Sequence, residues 1–439
     1  MNRRSLIFSL FALALAVNLL VGYRVYSNDE LQNGDAAAFE KIAIMMRVLH
    51  LIRQDYVDED LVDYERLLTN AMHGMVESLD PHSGYMEQDA YDDMMESTEG
   101  EFGGLGVLIT IRDGALTVIA PMEGGPSARA GILPGDKIVK INGVVMGDKN
   151  LSGAVGELRG EPGTLVTITI KRGDKEPFDI TIERSIIEVP SVKNARLLAD
   201  GVGYIRVTQF DEKTAPGMKA ALKDLTSQGM TSLILDLRNN PGGLLTSAVD
   251  VASFFLPKDA LVVSTVGRRA SQNKRYETTG GDKYETVPLF ILVNGGSASA
   301  SEIVAGCLRD WRRAVLIGEK TFGKGSVQSV IKLSDGSALR LTTAKYFTPS
   351  KVVIHDKGIE PNIEVTMTDE ELMDLITRQR NGETGEAVDP EKDKPLAKAL
   401  EIIQNDTGPR REAGTGAVPA APPRSVEKAT ARVDGGETQ

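Results

Sequence analysis

Residues 288–306 read Pro-Leu-Phe-Ile-Leu-Val-Asn-Gly-Gly-Ser-Ala-Ser-Ala-Ser-Glu-Ile-Val-Ala-Gly, or PLFILVNGGSASASEIVAG. An unbroken apolar run gives way to small residues and then to a helical pattern. A strand that is apolar at every position is buried on both faces, which is the habit of parallel sheets covered by helices. The same alternation recurs on both sides of it. GVGYIRV (201–207) and TSLILDLR (231–238) read as strands, and so does AVLIG (314–318). APGMKAALKDLTSQG (215–229), LLTSAVDVASFF (244–255) and the segment from Ser301 to Trp311 read as helices. Alternating strands and helices predict an α/β core with a largely parallel sheet. SVIKL (329–333) and ALRLTTAKYF (338–347) add a hairpin.

Outward from this core the character changes. Residues 100–185 are rich in glycine and β-branched residues, in short runs separated by turns, so they predict a small β domain. Asn142-Gly143 marks a hairpin, because a type I′ turn needs positive φ at both central positions. Within residues 36–95, Phe39, Ile42, Ala43, Met46 and Leu49 recur at helical spacing, as do Tyr64, Leu67, Leu68, Ala71, Met75 and Leu79. Asp80-Pro81 breaks that pattern. These apolar faces predict core or dimer contacts. The expected organisation is a leader over 1–27, a helical region over 36–98, a β domain over 99–185, the α/β core over 186–370, and a helix with a polar, Pro- and Ala-rich tail over 371–439. The fold class is therefore mixed and multidomain.

Composition excludes several functions. A net charge of -12 argues against nucleic acid as a general partner. The single cysteine, Cys307, excludes an intrachain disulfide framework. The four histidines show no metal-ligand spacing, so no metal or cofactor is expected. The N-terminus reads MNRR followed by SLIFSLFALALAVNLLVG. A basic start before roughly 18 apolar residues predicts an export signal or a membrane anchor, with Val25-Tyr26-Ser27 a weak cleavage site. The expected location is the periplasm, or the outer side of a membrane.

The small-residue turn has two readings. Ser299-Ala300-Ser301-Glu302 fits a capping box, in which serine and glutamate close the first helical turn. Ser299 is equally a candidate nucleophile, because a helix N-terminus favours developing negative charge and its N–H groups can hold an oxyanion. A serine nucleophile needs a base. GEKTFGKGSVQ (318–328) places Lys324 between two glycines among small and apolar residues, where partial desolvation would lower its pKa. Gln328, four residues on, could hydrogen-bond and orient the amine. Cys307 reads as a small buried hydrophobe.

Two resemblances join these observations. FGGLGV (102–107), GGPSARAGILPGDKIVKING (124–143) and LRGEPGTLVTITIKR (158–172), in that order, resemble a PDZ domain of the bacterial protease-associated type. Such a domain adds a peptide as a strand and holds its C-terminal carboxylate on backbone N–H groups. The resemblance makes Gly104, Leu105, Gly106 and Val107 candidates for that contact. Arg159 is a further candidate, for a peptide carboxylate or for the neighbouring domain. The order LDLRNNPGG, NGGSASASEI, GEKTFGKGSVQ and GIEPN is similar to the carboxyl-terminal processing peptidases, S41 serine proteases with a Ser/Lys dyad. That resemblance spans about residues 36–367. It implies Ser299 as nucleophile, Lys324 as general base, Gln328 as the group orienting the lysine, and an oxyanion hole from the N–H of Ala300 and of Gly242, with Gly243 as the other choice. Asn362 stands where aspartate is commoner. The implied function is an exported serine endopeptidase acting on proteins with accessible C-termini, the PDZ domain recognising those termini and gating the site. Implied contacts include a homodimer through the N-terminal helices, an adaptor protein and a membrane anchor. The alternative is a non-catalytic PDZ adaptor or chaperone on a protease scaffold.

Overall fold

A computed structural model describes residues 32–112, 114–146, 151–198, 201–280, 284–380 and 392–406. The expected leader over 1–27 and the tail beyond 406 lie outside the described residues. The chain divides into two compact units, one ending at Tyr85 and one starting at Met86.

The first unit is helical. Its α1 (Gln32–Asp55) and α2 (Tyr64–Glu77) are joined by a short 3-10 turn, and α2 starts on Asp63, whose carboxylate accepts from the Arg66 N–H at 2.8 Å. After α2, Asp80 Oδ1 accepts from the N–H groups of His82 and Ser83, so the Asp-Pro break is a side-chain-capped turn. Leu49 is buried, but Phe39, Ile42 and Met46 on the predicted apolar face of α1 are largely exposed.

The second unit starts with α3 (Gln88–Glu99) and β1 (Glu101–Gly104). The β domain then runs β2 (Val107–Arg112), β3 (Ala115–Pro121), the short α4 (Pro126–Arg129), β4 (Lys137–Ile141), β5 (Val144–Val145), α5 (Leu151–Leu158), β6 (Leu165–Lys171) and β7 (Phe178–Glu183). Its sheet order is β2-β3-β4-β6-β7, antiparallel throughout, with β5 beside β4. The β4–β5 turn has Asn142 at φ 48° and Gly143 at φ 80°, the predicted primed hairpin. β8 (Ser185–Glu188) returns to pair with β1.

The core follows with β9 (Val192–Leu197), β10 (Val202–Val207), α6 (Thr214–Ser227), β11 (Ser232–Asp236), α7 (Leu245–Ser253), β12 (Leu261–Gly267), β13 (Lys274–Glu277), β14 (Leu289–Val293), α8 (Ala300–Asp310), β15 (Ala314–Gly318), β16 (Ser326–Lys332), β17 (Ala338–Phe347), β18 (Ile363–Glu364), α9 (Asp369–Arg380) and α10 (Lys394–Asp406). The central sheet has the order β9-β10-β11-β14-β15-β18 and is parallel except at its β9 edge. Alternate residues of each strand feed different cores. Ile205, Leu235, Ile291 and Leu316 join α6, α7 and α8 on one face. Tyr204, Ile234, Phe290 and Ile317 pack with Leu396, Ala399 and Ile403 of α10 on the other. Burial of each such large apolar side chain contributes about 1.5–3 kcal/mol, which is why these strands read as continuous apolar runs. A second, antiparallel sheet joins β12 to β13 and β17, with β16 beside β17. The hairpin β16–β17 was predicted. The pair β12–β13 and α9 were not.

Candidate active site

Three chain segments converge at the C-terminal ends of the parallel strands. β11 leads into the loop Leu237–Leu244, β14 into the small-residue turn, and β15 into residues 319–325. Ligands in open α/β sheets bind at this end.

Ser299 is the N-cap of α8, with φ 53° and ψ -111°. A non-glycine residue in such a conformation costs on the order of 1–3 kcal/mol and persists only where its surroundings hold it. Here they do. The Ser299 N–H donates to Glu302 Oε2 at 2.9 Å, the Ser297 hydroxyl donates to Leu237 O at 2.8 Å, and the Ala298 N–H donates to Asn240 O at 3.0 Å. Ser301 Oγ donates to the same Asn240 carbonyl at 2.9 Å. Ser297 and Ser301 thus stitch the turn to the neighbouring loop, whereas Ser299 faces its own helix through a capping box with Glu302.

Glu302 does more than cap the helix. Its fully buried carboxylate also accepts from Thr321 Oγ1 at 2.5 Å and from the N–H groups of Gly323 at 2.7 Å and Lys324 at 2.8 Å. One side chain therefore holds the backbone of both Ser299 and Lys324. Burial pushes the Glu302 carboxyl up, and these hydrogen bonds oppose that shift. The sequence showed the capping role only; nothing in it signalled the bridge to residues 321–324.

Lys324 is half-buried. Burial first, and the Arg340 guanidinium second, hold its amine below the ordinary lysine value of 10.5. Among the described residues its Nζ makes no hydrogen bond. The expectation that Gln328 orients it is not met. The Gln328 amide donates to Ser326 Oγ at 3.1 Å and Thr342 Oγ1 at 2.9 Å instead. The cause is a β-bulge between Val327 and Gln328, which pairs Gln328 with Thr342 and re-aims its side chain. Tyr346 on β17, absent from the sequence reading, lies beside the Ser299 side chain, which opposes the rise of its phenol. Its phenol is pushed up to about 12, by burial first and by Tyr276 second.

The oxyanion donors also need a correction. The Gly242 N–H is committed to Asn240 Oδ1 at 2.9 Å. Among the described residues, the N–H groups of Gly243 and Ala300 carry no hydrogen bond. Gly242 matters through its missing side chain. A β-carbon there would stand 2.7 Å from Ser299 Cβ and 2.8 Å from Ala300 N, at a φ of 101°. A β-carbon on Gly243, at φ 138°, would stand 2.0 Å from Phe210 O.

In the β domain, β2 lies at the sheet edge. The Leu105 and Gly106 carbonyls turn inward, accepting from the Ser127 N–H at 2.9 Å and the Met122 N–H at 2.8 Å. Ser127 Oγ also donates to Gly106 O at 2.6 Å. Among the described residues, the N–H groups of Leu105 and Gly106 carry no hydrogen bond, as a carboxylate cradle requires. Arg159 is elsewhere. Its guanidinium donates to Asp93 at 2.7 Å and Glu96 at 3.2 Å on α3 and lies over the Phe102 ring. Of the two contacts expected for Arg159, the neighbouring element wins because α3 presents two carboxylates to it.

A strained serine at a helix N-terminus, a half-buried lysine tied to the same carboxylate, and an edge strand with a free N–H loop define a serine-type peptidase that carries a PDZ domain. The model for peptidase family S41 matches residues 201–365 and that for a PDZ domain matches 117–172. The model for the activating protease CtpB N-terminal domain matches 21–90. A carboxy-terminal-processing protease of Bartonella bacilliformis is 40% identical over 427 residues, covering 92% of this chain and 96% of that protein. The carboxy-terminal processing protease CtpA of Bacillus subtilis is 33% identical, covering 87% and 80%. A solved photosystem II D1 C-terminal processing protease is 28% identical, with a TM-score of 0.43, covering 73% of this chain and 92% of that one. The chain belongs to the S41 family of serine peptidases. The adaptor alternative gains no support from these matches.

Proposed function

We propose that this peptidase cleaves polypeptides near their C-termini with Ser299 as nucleophile and Lys324 as general base. The Glu302 carboxylate carries the reading, because one buried side chain bonds the backbone of both residues. Neutral Lys324 takes the Ser299 proton as Oγ attacks the scissile carbonyl. The oxyanion is held by the N–H groups of Ala300 and Gly243. Collapse releases the amine, protonated by Lys324, and leaves an acyl-enzyme. Water then attacks with Lys324 again as base, freeing the acid and Ser299.

The β2 edge and the Gly104–Val107 loop receive the substrate C-terminus, and occupation of the PDZ domain opens the site. The basic start and apolar run of residues 1–22 support export, with residues 28–439 working in the periplasm or tethered to a membrane. The exposed apolar side chains of α1 support a homodimer. An adaptor protein is a further partner consistent with a PDZ-gated site. The test is cleavage of casein by residues 28–439. Wild type is expected to cleave, with Ser299→Ala and Lys324→Ala at least about 10³-fold slower and labelling by a fluorophosphonate lost in Ser299→Ala. Full cleavage by Ser299→Ala would overturn the assignment.

A further inference from the structure

Beneath the oxyanion loop lies a buried charge cluster that reaches outside the matched peptidase region. Arg238 follows β11 by two residues and is almost wholly buried. Its Nε donates to Asp236 Oδ1 at 2.9 Å and its Nη2 to Asp236 Oδ2 at 2.7 Å. The adjacent edge of the guanidinium, sharing Nη2, grips Asp393, Nη1 to Oδ1 at 2.6 Å and Nη2 to Oδ2 at 2.7 Å. Asp236 and Asp393 are as buried as the arginine. Asp393 precedes α10, whose Leu396 N–H donates to it at 3.2 Å, so a C-terminal helix cap doubles as the second anchor of Arg238.

The anchor bears on the site through a short path. The residue after Arg238 is Asn239, at φ 56°, where the chain turns out of the strand. Asn239 exchanges hydrogen bonds with Asn294, its N–H to Oδ1 at 2.9 Å and Asn294 Nδ2 to its Oδ1 at 3.0 Å. Asn240 then receives Ala298 and Ser301 and braces Gly242. Fixing Arg238 thus fixes the entry of the loop that ends in Gly243. A bidentate guanidinium–carboxylate pair sets direction as well as distance. Without Asp393 the charge of Arg238 is still met by Asp236, but its buried Nη1 loses its partner and the guanidinium is held at one edge only, so it is free to turn.

We propose that Asp393 is a positioning residue for the peptidase reaction: through Arg238 it sets the oxyanion loop against Ser299 and Ala300, so the C-terminal segment completes the active site. The inference rests on the Ser/Lys reading above. It is tested in residues 28–439 with Asp393→Asn, which keeps the shape and removes the charge, and with Asp393→Ala. Each is measured at a temperature where circular dichroism shows the variant fully folded. A shift of about 1 Å at the donor lowers turnover about 100-fold. The expected result is kcat on dye-labelled casein about 10–100-fold lower, with KM within about twofold. A role in stability alone would lower the unfolding midpoint and leave kcat of the folded protein at the wild-type value, and that result overturns the proposal. If Asp393→Ala does not fold, Asp393→Asn decides. Ser299→Ala runs beside them. Its retained activity would sink the Ser/Lys reading itself, whereas an inactive Ser299→Ala beside a fully active Asp393→Asn would sink this inference alone.

Discussion

The peptidase core and the PDZ domain both take polypeptide, and they are built for it in opposite ways. In the core, buried side chains hold the loops: Glu302 bonds two of them, Asn240 and Asn294 a third, and Ser299 sits in a strained conformation as a result. In the PDZ domain the receiving surface is backbone, an open strand and a loop whose carbonyls are turned inward. Chemistry at a carbonyl requires atoms fixed to a fraction of an ångström. Strand addition requires only a free ladder edge and a nest of N–H groups. Substitutions in the core should therefore act on turnover, and substitutions in the PDZ loop on binding.

The largest effect outside the dyad is expected at Gly242. An alanine there needs a φ of 101° and places its β-carbon 2.7 Å from Ser299 Cβ. Turnover should fall about 10²–10³-fold, as when an oxyanion donor is lost, while peptide binding by the PDZ domain is unchanged. Isothermal titration beside steady-state rates checks both halves. A fall in peptide affinity alone would erase the contrast drawn above.

A smaller effect concerns pH. With Lys324 as the proposed general base, its neutral amine is the active form, so kcat/KM should rise with pH along a limb set by that amine, below 10.5. Arg340 is the second cause of the lowering. Arg340→Ala should move the limb to higher pH and reduce the rate several-fold at neutral pH. The linkage has a definite sign. A lysine lowered in the folded state binds protons more readily unfolded, so stability rises with pH between the folded value and 10.5. Lys324→Met should remove that rise, which denaturant titration at several pH values would show. A limb that stays in place in Arg340→Ala would mean that burial alone sets it.

The same contrast explains what was legible in the sequence. The parallel strands announced themselves because both faces are buried, and Asn142-Gly143 because its turn admits few residues. The strand β13 did not, since Lys274-Arg275-Tyr276-Glu277 offers no apolar side to read, whereas β12 carries a β-branched run, Leu261–Gly267, that went unread. Ser299, Ala300 and Lys324 were singled out because they lie in or beside small-residue turns, and the structure brings the backbones of Ser299 and Lys324 onto Glu302. The contacts of Gln328 with Ser326 and Thr342 were not legible, because a bulge is invisible to residue spacing. Choosing Gly243 over Gly242 needed the knowledge that Asn240 occupies the Gly242 N–H. Tyr346 reaches Ser299 by strand pairing and Asp393 reaches Arg238 by helix packing, which no local pattern encodes.

The smallest expected effect sharpens the other side of the comparison. Gly106 has φ 63°, and a β-carbon on it would come within 3.1 Å of Ile187 Cδ1. Alanine at that φ costs on the order of 1 kcal/mol. It also tilts the N–H groups offered to a carboxylate. Affinity for a peptide with a free C-terminus should fall about 3–10-fold, a loss of about 1 kcal/mol. The same peptide amidated at its C-terminus should bind wild type and variant equally weakly, because it brings no carboxylate to the loop. The rate of Ser299 labelling by a small fluorophosphonate should stay at the wild-type value, since that probe bypasses the PDZ domain. A slowed labelling rate in Gly106→Ala would show that the loop acts on the dyad directly, and the division between a backbone that binds and side chains that catalyse would no longer hold.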